Sequence, residues 1–284
     1  MNLKTCGAAS PQKRRPLPRR SIIIIIIVIV RASLPRVNPR QPMSYVETIL
    51  SAENSLPPKQ RKSNAVYHAV KRAILLRRLE PGQALLEQQI AATMGCSQGT
   101  VREALLRLEQ DGLVSRRGYR GTAVSTTSLE EAAQMARIRI ALETESARRA
   151  AESCTEADLA RLDAIIARIG EAEARHDGYS LSELDREFHL AIFQRARLST
   201  LEPILTRCAL HVHRYTFGNG PIGVTPDNRV GLPSSMEQHR VVRDALATRD
   251  PALAARAMRD HIETILAYWS AELLQMVRAE PIAP

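Results

Sequence analysis

Apolar positions recur at helical spacing along most of the chain. Val66, Val70 and Ile74, with Tyr67 beside them, predict a helix capped by Ser63 and running to about Arg77. Leu79-Glu80-Pro81-Gly82 ends it, because Pro-Gly favours a turn. Ile90 and Ala91 point inward on a second helix over Glu87–Met94, and Gly95 closes it. Ser97 caps a third helix over 98–111, with Val101, Leu105 and Leu108 as its buried stripe and Gly112 as its stop. Leu113-Val114 and Ala123-Val124 read as two short strands. Residues 115–121, Ser-Arg-Arg-Gly-Tyr-Arg-Gly, form a basic hairpin tip between them.

From residue 126 onward the period is helical throughout. Ser128-Leu129-Glu130-Glu131 is a capping box, and Thr155-Glu156-Ala157-Asp158 opens the next helix. The stripe of that second helix is Leu159, Leu162, Ile165, Ile166 and Ile169. Ser180-Leu181-Ser182-Glu183 predicts the start of a helix carrying Phe188, Ile192 and Phe193, and another spans roughly 200–216. Residues 217–232, rich in Gly, Pro, Asn and Asp, read as a long loop. A helix over 233–248 follows. A last one starts with Asp250 as cap and Pro251 at its first position. No alternating strand pattern interrupts this half, so the expected fold is mainly α, ending in a helical bundle.

Composition adds a division of labour. The 284 residues are 44% apolar and 25% charged, enough for two domains with real cores. Net charge is +10, and the excess of Lys and Arg lies before residue 126, while residues 126–284 are net acidic. A basic module joined to an acidic one points to a polyanion partner for the first. The four cysteines, Cys6, Cys96, Cys154 and Cys208, are far apart and form no CxxC pair, which fits a reducing cytoplasm. No apolar run approaches the roughly 20 residues of a membrane helix.

Residues 1–58 read as an extension outside the folded protein. Basic residues precede an unbroken β-branched run over 22–30. That outline suits a secretory signal, but Arg31 follows the run where a small residue would be needed. The expected native start is Met43.

Helix, turn, helix and basic hairpin is the order of a winged helix-turn-helix, here assigned to 59–125. The third helix offers Gln98, Thr100 and Arg102 near its N-terminus, where side chains reach base edges in the major groove. Arg116, Arg117 and Arg120 would meet phosphates or the minor groove, and Ser97, Tyr119 and Gly121 complete the candidate DNA-binding set. A basic, solvated helical hairpin would show the same periodicity.

In 126–284, Asp185 and His189 share one helical face with Leu181, Phe188 and Ile192. His239 lies on a stripe with Met236, Val242 and Leu246, and His261 lies with Met258 and Ile265. Three inward imidazoles and a carboxylate suit a divalent ion such as zinc, nickel, manganese or iron. Each could equally be a satisfied core residue.

The stretch 66–124 resembles the DNA-binding domain of the GntR family of bacterial transcription regulators. The match rests on Leu79-Glu80-Pro81-Gly82, Leu86-Glu87, Ile90-Ala91, Val101-Arg102-Glu103-Ala104-Leu105, Leu108-Glu109, Asp111-Gly112-Leu113-Val114 and Gly121. Gln88 and Gln98 stand where Arg is frequent in that family, and Gln favours adenine over guanine. Residues 130–276 resemble the FCD effector domain of the FadR-like branch. The matching pieces are Arg139-Ile140-Ala141-Leu142-Glu143, Asp185-Arg186-Glu187-Phe188-His189, Gln238-His239-Arg240, Asp250-Pro251 and 257–262, Ala-Met-Arg-Asp-His-Ile.

The resemblance implies a metal on Asp185, His189, His239 and His261, with a small carboxylate metabolite beside it and Arg139 and Arg214 as its clamps. It also implies a cytoplasmic, nucleoid-associated homodimer on a double-stranded DNA operator, acting as a repressor rather than as an enzyme. The alternative is a metal-dependent hydrolase with an accessory DNA-binding module.

Overall fold

The computed structural model describes residues 58–116, 118, 121–219 and 234–279. The expectations for Met43 and the extension before it, for Arg117, Tyr119 and Arg120, and for most of the 217–232 loop lie outside the described residues.

Helix α1 spans Pro58–Leu75, starting five residues before the expected cap. Pro58 suits the first helical turn, where its missing N–H has no role. Ser63 is therefore buried inside the helix and does not cap it. A two-residue strand that the periodicity did not predict, β1 (Ala84–Leu85), precedes α2 (Glu87–Met94). Gly95 closes α2 at φ 59°, a left-handed conformation that glycine adopts without steric cost. Ser97 caps α3 (Gln98–Gln110) by accepting from the Thr100 backbone N–H at 3.2 Å. Strands β2 (Val114–Arg116) and β3 (Thr122–Val124) complete an antiparallel sheet of order β1-β3-β2, with Ala84 opposite Ala123 and Val114 opposite Val124. This is a winged helix-turn-helix, with α1 packed along α3.

The remaining elements are helical. α4 (Leu129–Ser153) and α5 (Glu156–Ala174) both begin in capping boxes, on Ser128 and Thr155. α6 (Gly178–Arg195) starts earlier than expected, because Asp177 is its cap. Asp177 accepts from the Ser180 backbone N–H at 3.1 Å and from the Ser180 hydroxyl at 2.7 Å. After a 3₁₀ turn at Ser199–Leu201 come α7 (Glu202–Asn219) and α8 (Ser235–Ala247). The expected single last helix is two, α9 (Pro251–Trp269) and α10 (Ala271–Ala279), broken at an extended Ser270. The break buries Trp269 and turns Leu273, Leu274 and Val277 back into the core.

The core of the bundle is built around α4. Ala132, Ala133, Ala136, Ala147, Ala150 and Ala151 are all buried, and such small side chains let α7 and α9 approach closely. Between these alanines Arg137 is also buried. Its Nε donates to the Val277 carbonyl at 3.3 Å, near the end of α10. Among the described residues no helix is long and apolar enough to cross a membrane.

Candidate metal centre and DNA interface

Three helices converge inside the bundle. α6 supplies Asp185 and His189 one turn apart, α8 supplies His239 and α9 supplies His261. One ligand atom from each lies within 4.8 Å of all the others. His189 Nε2 is 3.2 Å from His261 Nε2, and Asp185 Oδ1 is 3.3 Å from His239 Nε2 and 3.7 Å from His189 Nε2. The imidazoles are buried, with His239 only 1% exposed, while the Asp185 side chain keeps 32% of its surface.

The outward-facing nitrogens set the tautomers. His239 Nδ1 donates to the Ser235 carbonyl at 2.7 Å, and His189 Nδ1 faces Glu143 Oε2. A proton on each Nδ1 leaves the Nε2 lone pairs aimed inward, as ligating histidines are held. His239 Nε2 is buried without a hydrogen-bond partner. His261 Nδ1 is likewise buried without a hydrogen-bond partner, and its Nε2 lies 3.2 Å from that of His189. Three nitrogens and a carboxylate oxygen directed at one point fit a first-row divalent ion.

Electrostatics support the same set. Burial alone would raise the Asp185 carboxyl, but His189, His239 and Arg139 hold it well below the usual carboxylate range. Burial also opposes ionisation of Glu143, and Arg139 and His189 outweigh it, keeping that carboxyl low. Burial, reinforced by the neighbouring His239 and His189, pushes His261 well below the ordinary imidazole value, so it stays neutral. Arg139 Nε donates to Glu143 Oε1 at 2.5 Å, and its far nitrogen stands 3.9 Å from Asp185 Oδ2.

A small cavity, about 50 Å³, opens beside the cluster. Arg139, Ser182, Asp185, His213, Ser235 and His261 form its polar wall, and Leu181, Ile262, Ile265 and Trp269 its apolar one. Arg139 is therefore placed where a carboxylate clamp was expected, whereas Arg214 is not. Arg214 does not line this cavity. Its guanidinium contacts the Thr127 hydroxyl and lies 3.4 Å from His211 Nδ1, and burial pulls its pKa down to about 10. The sequence reading missed Glu143, Ser182, His213 and Ser235. The signals for Glu143 were its place in the Arg139–Glu143 piece and its i, i+4 spacing from Arg139, which usually marks a surface pair.

Of the candidate DNA-contacting residues, Ser97, Gln98, Arg102, Arg116 and Gly121 are exposed. Thr100 is not: it is 4% exposed, with its hydroxyl 2.9 Å from Ser97 Oγ at the helix cap. Arg102 is held by Glu87, from Nε at 3.2 Å and from a terminal nitrogen at 2.8 Å. Arg116 sits over Glu109, its Nε 3.4 Å from a carboxylate oxygen. Gly121 has φ 80°, and its N–H donates to the Gly118 carbonyl at 3.2 Å.

Comparison with known proteins matches these two halves to two families. Residues 62–124 match the bacterial regulatory proteins of the gntR family, and residues 134–264 match the FCD domain. The chain is 27% identical over 231 residues to the HTH-type transcriptional repressor RspR of Escherichia coli (strain K12), covering 81% of this chain and 96% of that protein. It is 32% identical over 130 residues to an HTH-type transcriptional regulator from the TAR-I ttuE-ttuC' intergenic region of Agrobacterium vitis, covering 44% of this chain and 75% of that one. The fold is similar to that of E. coli McbR/YncC, with TM-score 0.61 at 23% identity over 78% of this chain and 98% of that structure. None of this supports the hydrolase alternative. The chain belongs to the GntR family of bacterial DNA-binding transcription regulators, with an FCD domain as its helical half.

Proposed function

We propose that this regulator is a homodimeric, cytoplasmic repressor whose operator affinity is set by a small carboxylate metabolite bound beside a metal ion in the FCD domain. The carrying observation is the convergence of Asp185, His189, His239 and His261 at a cavity that Arg139 also lines. These four residues would hold the ion, and a bound divalent ion supplies a Lewis-acid anchor for a carboxylate oxygen. Arg139 presents a guanidinium to the same space, while Glu143 and the Ser235 carbonyl fix the histidine tautomers. A cavity this small suits a ligand the size of roughly three or four waters. The apolar wall of Leu181, Ile262, Ile265 and Trp269 suits a short carbon chain beside the carboxylate.

The domain division follows the chemistry: 1–58 is an extension, 59–125 binds DNA, and 126–284 binds effector and dimerises. A two-fold dimer would place two recognition helices on successive half-sites. Repression is the sense in which the related RspR is named. Linkage then requires DNA to change effector affinity by the factor through which the effector changes DNA affinity.

The test uses the full chain and a duplex that it selects from random DNA. Elemental analysis should find about one divalent ion per chain, lost on His239→Ala with the helix content retained. A panel of short carboxylates should shift duplex affinity in the metal-loaded protein and not after chelation. Stoichiometric metal in His239→Ala would reject this ligand set. Duplex affinity indifferent to every combination of metal and carboxylate would reject the sensing mechanism.

A further inference from the structure

Two helices of the bundle have one face on the cavity and the opposite face on the DNA-binding unit. On α6, Leu181, Ser182 and Asp185 line the cavity, while Tyr179 and Glu183 face α1. Positions two apart on a helix point roughly 200° apart, so Glu183 and Asp185 look in opposite directions. On α7, Val212, His213 and Thr216 line the cavity, while His211 and Arg214 face the turn after α3 and the connection to α4. His211 Nδ1 lies 3.0 Å from the Thr127 hydroxyl. Its Nε2 occupies the space that a Cβ on Gly112 would need.

The contact between α1 and α6 is centred on a buried ion pair. Lys71 Nζ is 2.8 Å from Glu183 Oε1, with the two side chains only 4% and 3% exposed. Arg186 reaches the second carboxylate oxygen at 3.2 Å. Around the pair, the Arg72 guanidinium lies 5.2 Å over the Tyr179 ring, and His68 Nδ1 is 3.5 Å from the Tyr179 hydroxyl.

Apolar contacts can slide over one another, but this pair cannot. Separating it would leave the buried Lys71 ammonium without a carboxylate and Glu183 with Arg186 alone. A shift of α6 therefore has to carry α1 with it, and α1 is packed along the recognition helix α3.

We propose that the Lys71–Glu183 pair is the joint through which the state of the cavity is transmitted to the DNA-binding unit, with α6 as the lever. This rests on the reading of the cavity as the sensing site. The pair is a coupling device, distinct from both the metal ligands and the DNA-contacting side chains. Its loss uncouples the two halves while leaving each able to bind its own ligand. By linkage the uncoupling is seen from both ends.

The experiment compares the wild-type full chain with Lys71→Met/Glu183→Gln, which removes both charges of the pair and leaves Arg186, whose side chain is 29% exposed, without that carboxylate. Lys71→Arg, which keeps the charge, serves as the rescue. The probes are Zn²⁺ and Mn²⁺ alone, in parallel, added to chelator-treated protein. The readouts are metal affinity, hydrogen exchange of the α1 and α3 amides, and affinity for a duplex selected by the wild type.

In the wild type, metal should change α1 and α3 exchange and shift duplex affinity about tenfold, within the usual span of allosteric coupling. The double variant should bind metal as well as the wild type does and fold to the same helix content. It should, however, lose the exchange response and show less than about a twofold affinity shift, as for sites that do not communicate. Lys71→Arg should respond. A double variant responding like the wild type overturns the joint and leaves the sensing site intact. A wild type that binds metal with no response in α1 or α3 overturns the joint too. A wild type that binds neither ion overturns the proposed metal site, and the joint with it.

Discussion

Arg102, exposed on α3 and proposed as a base-reading residue, is held by Glu87 in the free protein. Binding must exchange that carboxylate for DNA. The exchange favours an acceptor as well disposed as a guanine edge, so the pair sharpens discrimination. Arg116, at the base of the wing, is held only loosely by Glu109 and can turn to a phosphate. The two should fail differently. Arg102→Ala should weaken the selected duplex by about 1–3 kcal/mol and relax its sequence preference, whereas Arg116→Ala should weaken all duplexes alike and flatten the salt dependence. Equal losses on selected and random duplex for Arg102→Ala would remove its base-reading role. Thr100 shows how one residue type can serve two ends. A threonine next to a helix start is as apt to serve the cap as the groove, and here Ser97 takes it. Glu143 shows the converse. In sequence it is the second half of an i, i+4 pair with Arg139, and only the packing of α4 into the core makes its carboxylate a support for His189.

At the scale of elements, the helices were legible because their caps are local chemistry. Ser97, Ser128, Thr155 and Asp250 each accept from the backbone of the following turn, so the residues that define the start are the ones that stabilise it. Asp250 is the clearest case. Its Oδ1 accepts from Ala252 N at 2.8 Å and Leu253 N at 3.0 Å, ahead of the helix that carries His261. Asp250→Ala should lower stability by about 1 kcal/mol, read as a reduced urea midpoint at unchanged slope. A midpoint equal to wild type would mean that the rest of α9 holds its first turn. Starts were misread where tertiary contacts compete for a capping group. Ser180 and Glu183 have the spacing of a capping box, but Glu183 is taken by Lys71 and Arg186 and cannot reach back. Asp177 then caps α6 instead. The break at Ser270 has no Pro or Gly to announce it, because what ends α9 is the burial of Trp269 and of the apolar face of α10. The convergence of Asp185 and the three histidines was legible as inward residues on separate stripes. That α6 and α7 each turn a second face toward the DNA-binding unit was not, because either face alone reads as ordinary core.

At the scale of the whole molecule, the seam between the two halves carries a titratable residue that must stay neutral. His211 is 6% exposed, and burial, reinforced by Arg214 and Arg207 against the weaker pull of Glu131, lowers its pKa from 6.5 to about 4. A depressed histidine is neutral in the folded chain at pH values where the unfolded chain has already taken a proton. Stability from this group is therefore complete above pH 6.5 and falls as pH drops toward 4, reaching a loss of about 3 kcal/mol there. Carboxylates give a separate loss at lower pH, since Glu183 and Glu145 are both held at about 2. The two contributions can thus be told apart by their windows. Thermal melting of the full chain should be flat from pH 8 to 6.5 and decline between 6.5 and 4.5. His211→Gln, which keeps a polar group against Thr127 without a titrating ring, should remove only its own share of that decline, because burial also holds His68 at about 4 and His261 well below its ordinary value, and it should leave the fall below pH 4 unchanged. Parallel curves for the two proteins between pH 6.5 and 4.5 would show that His211 carries none of that decline.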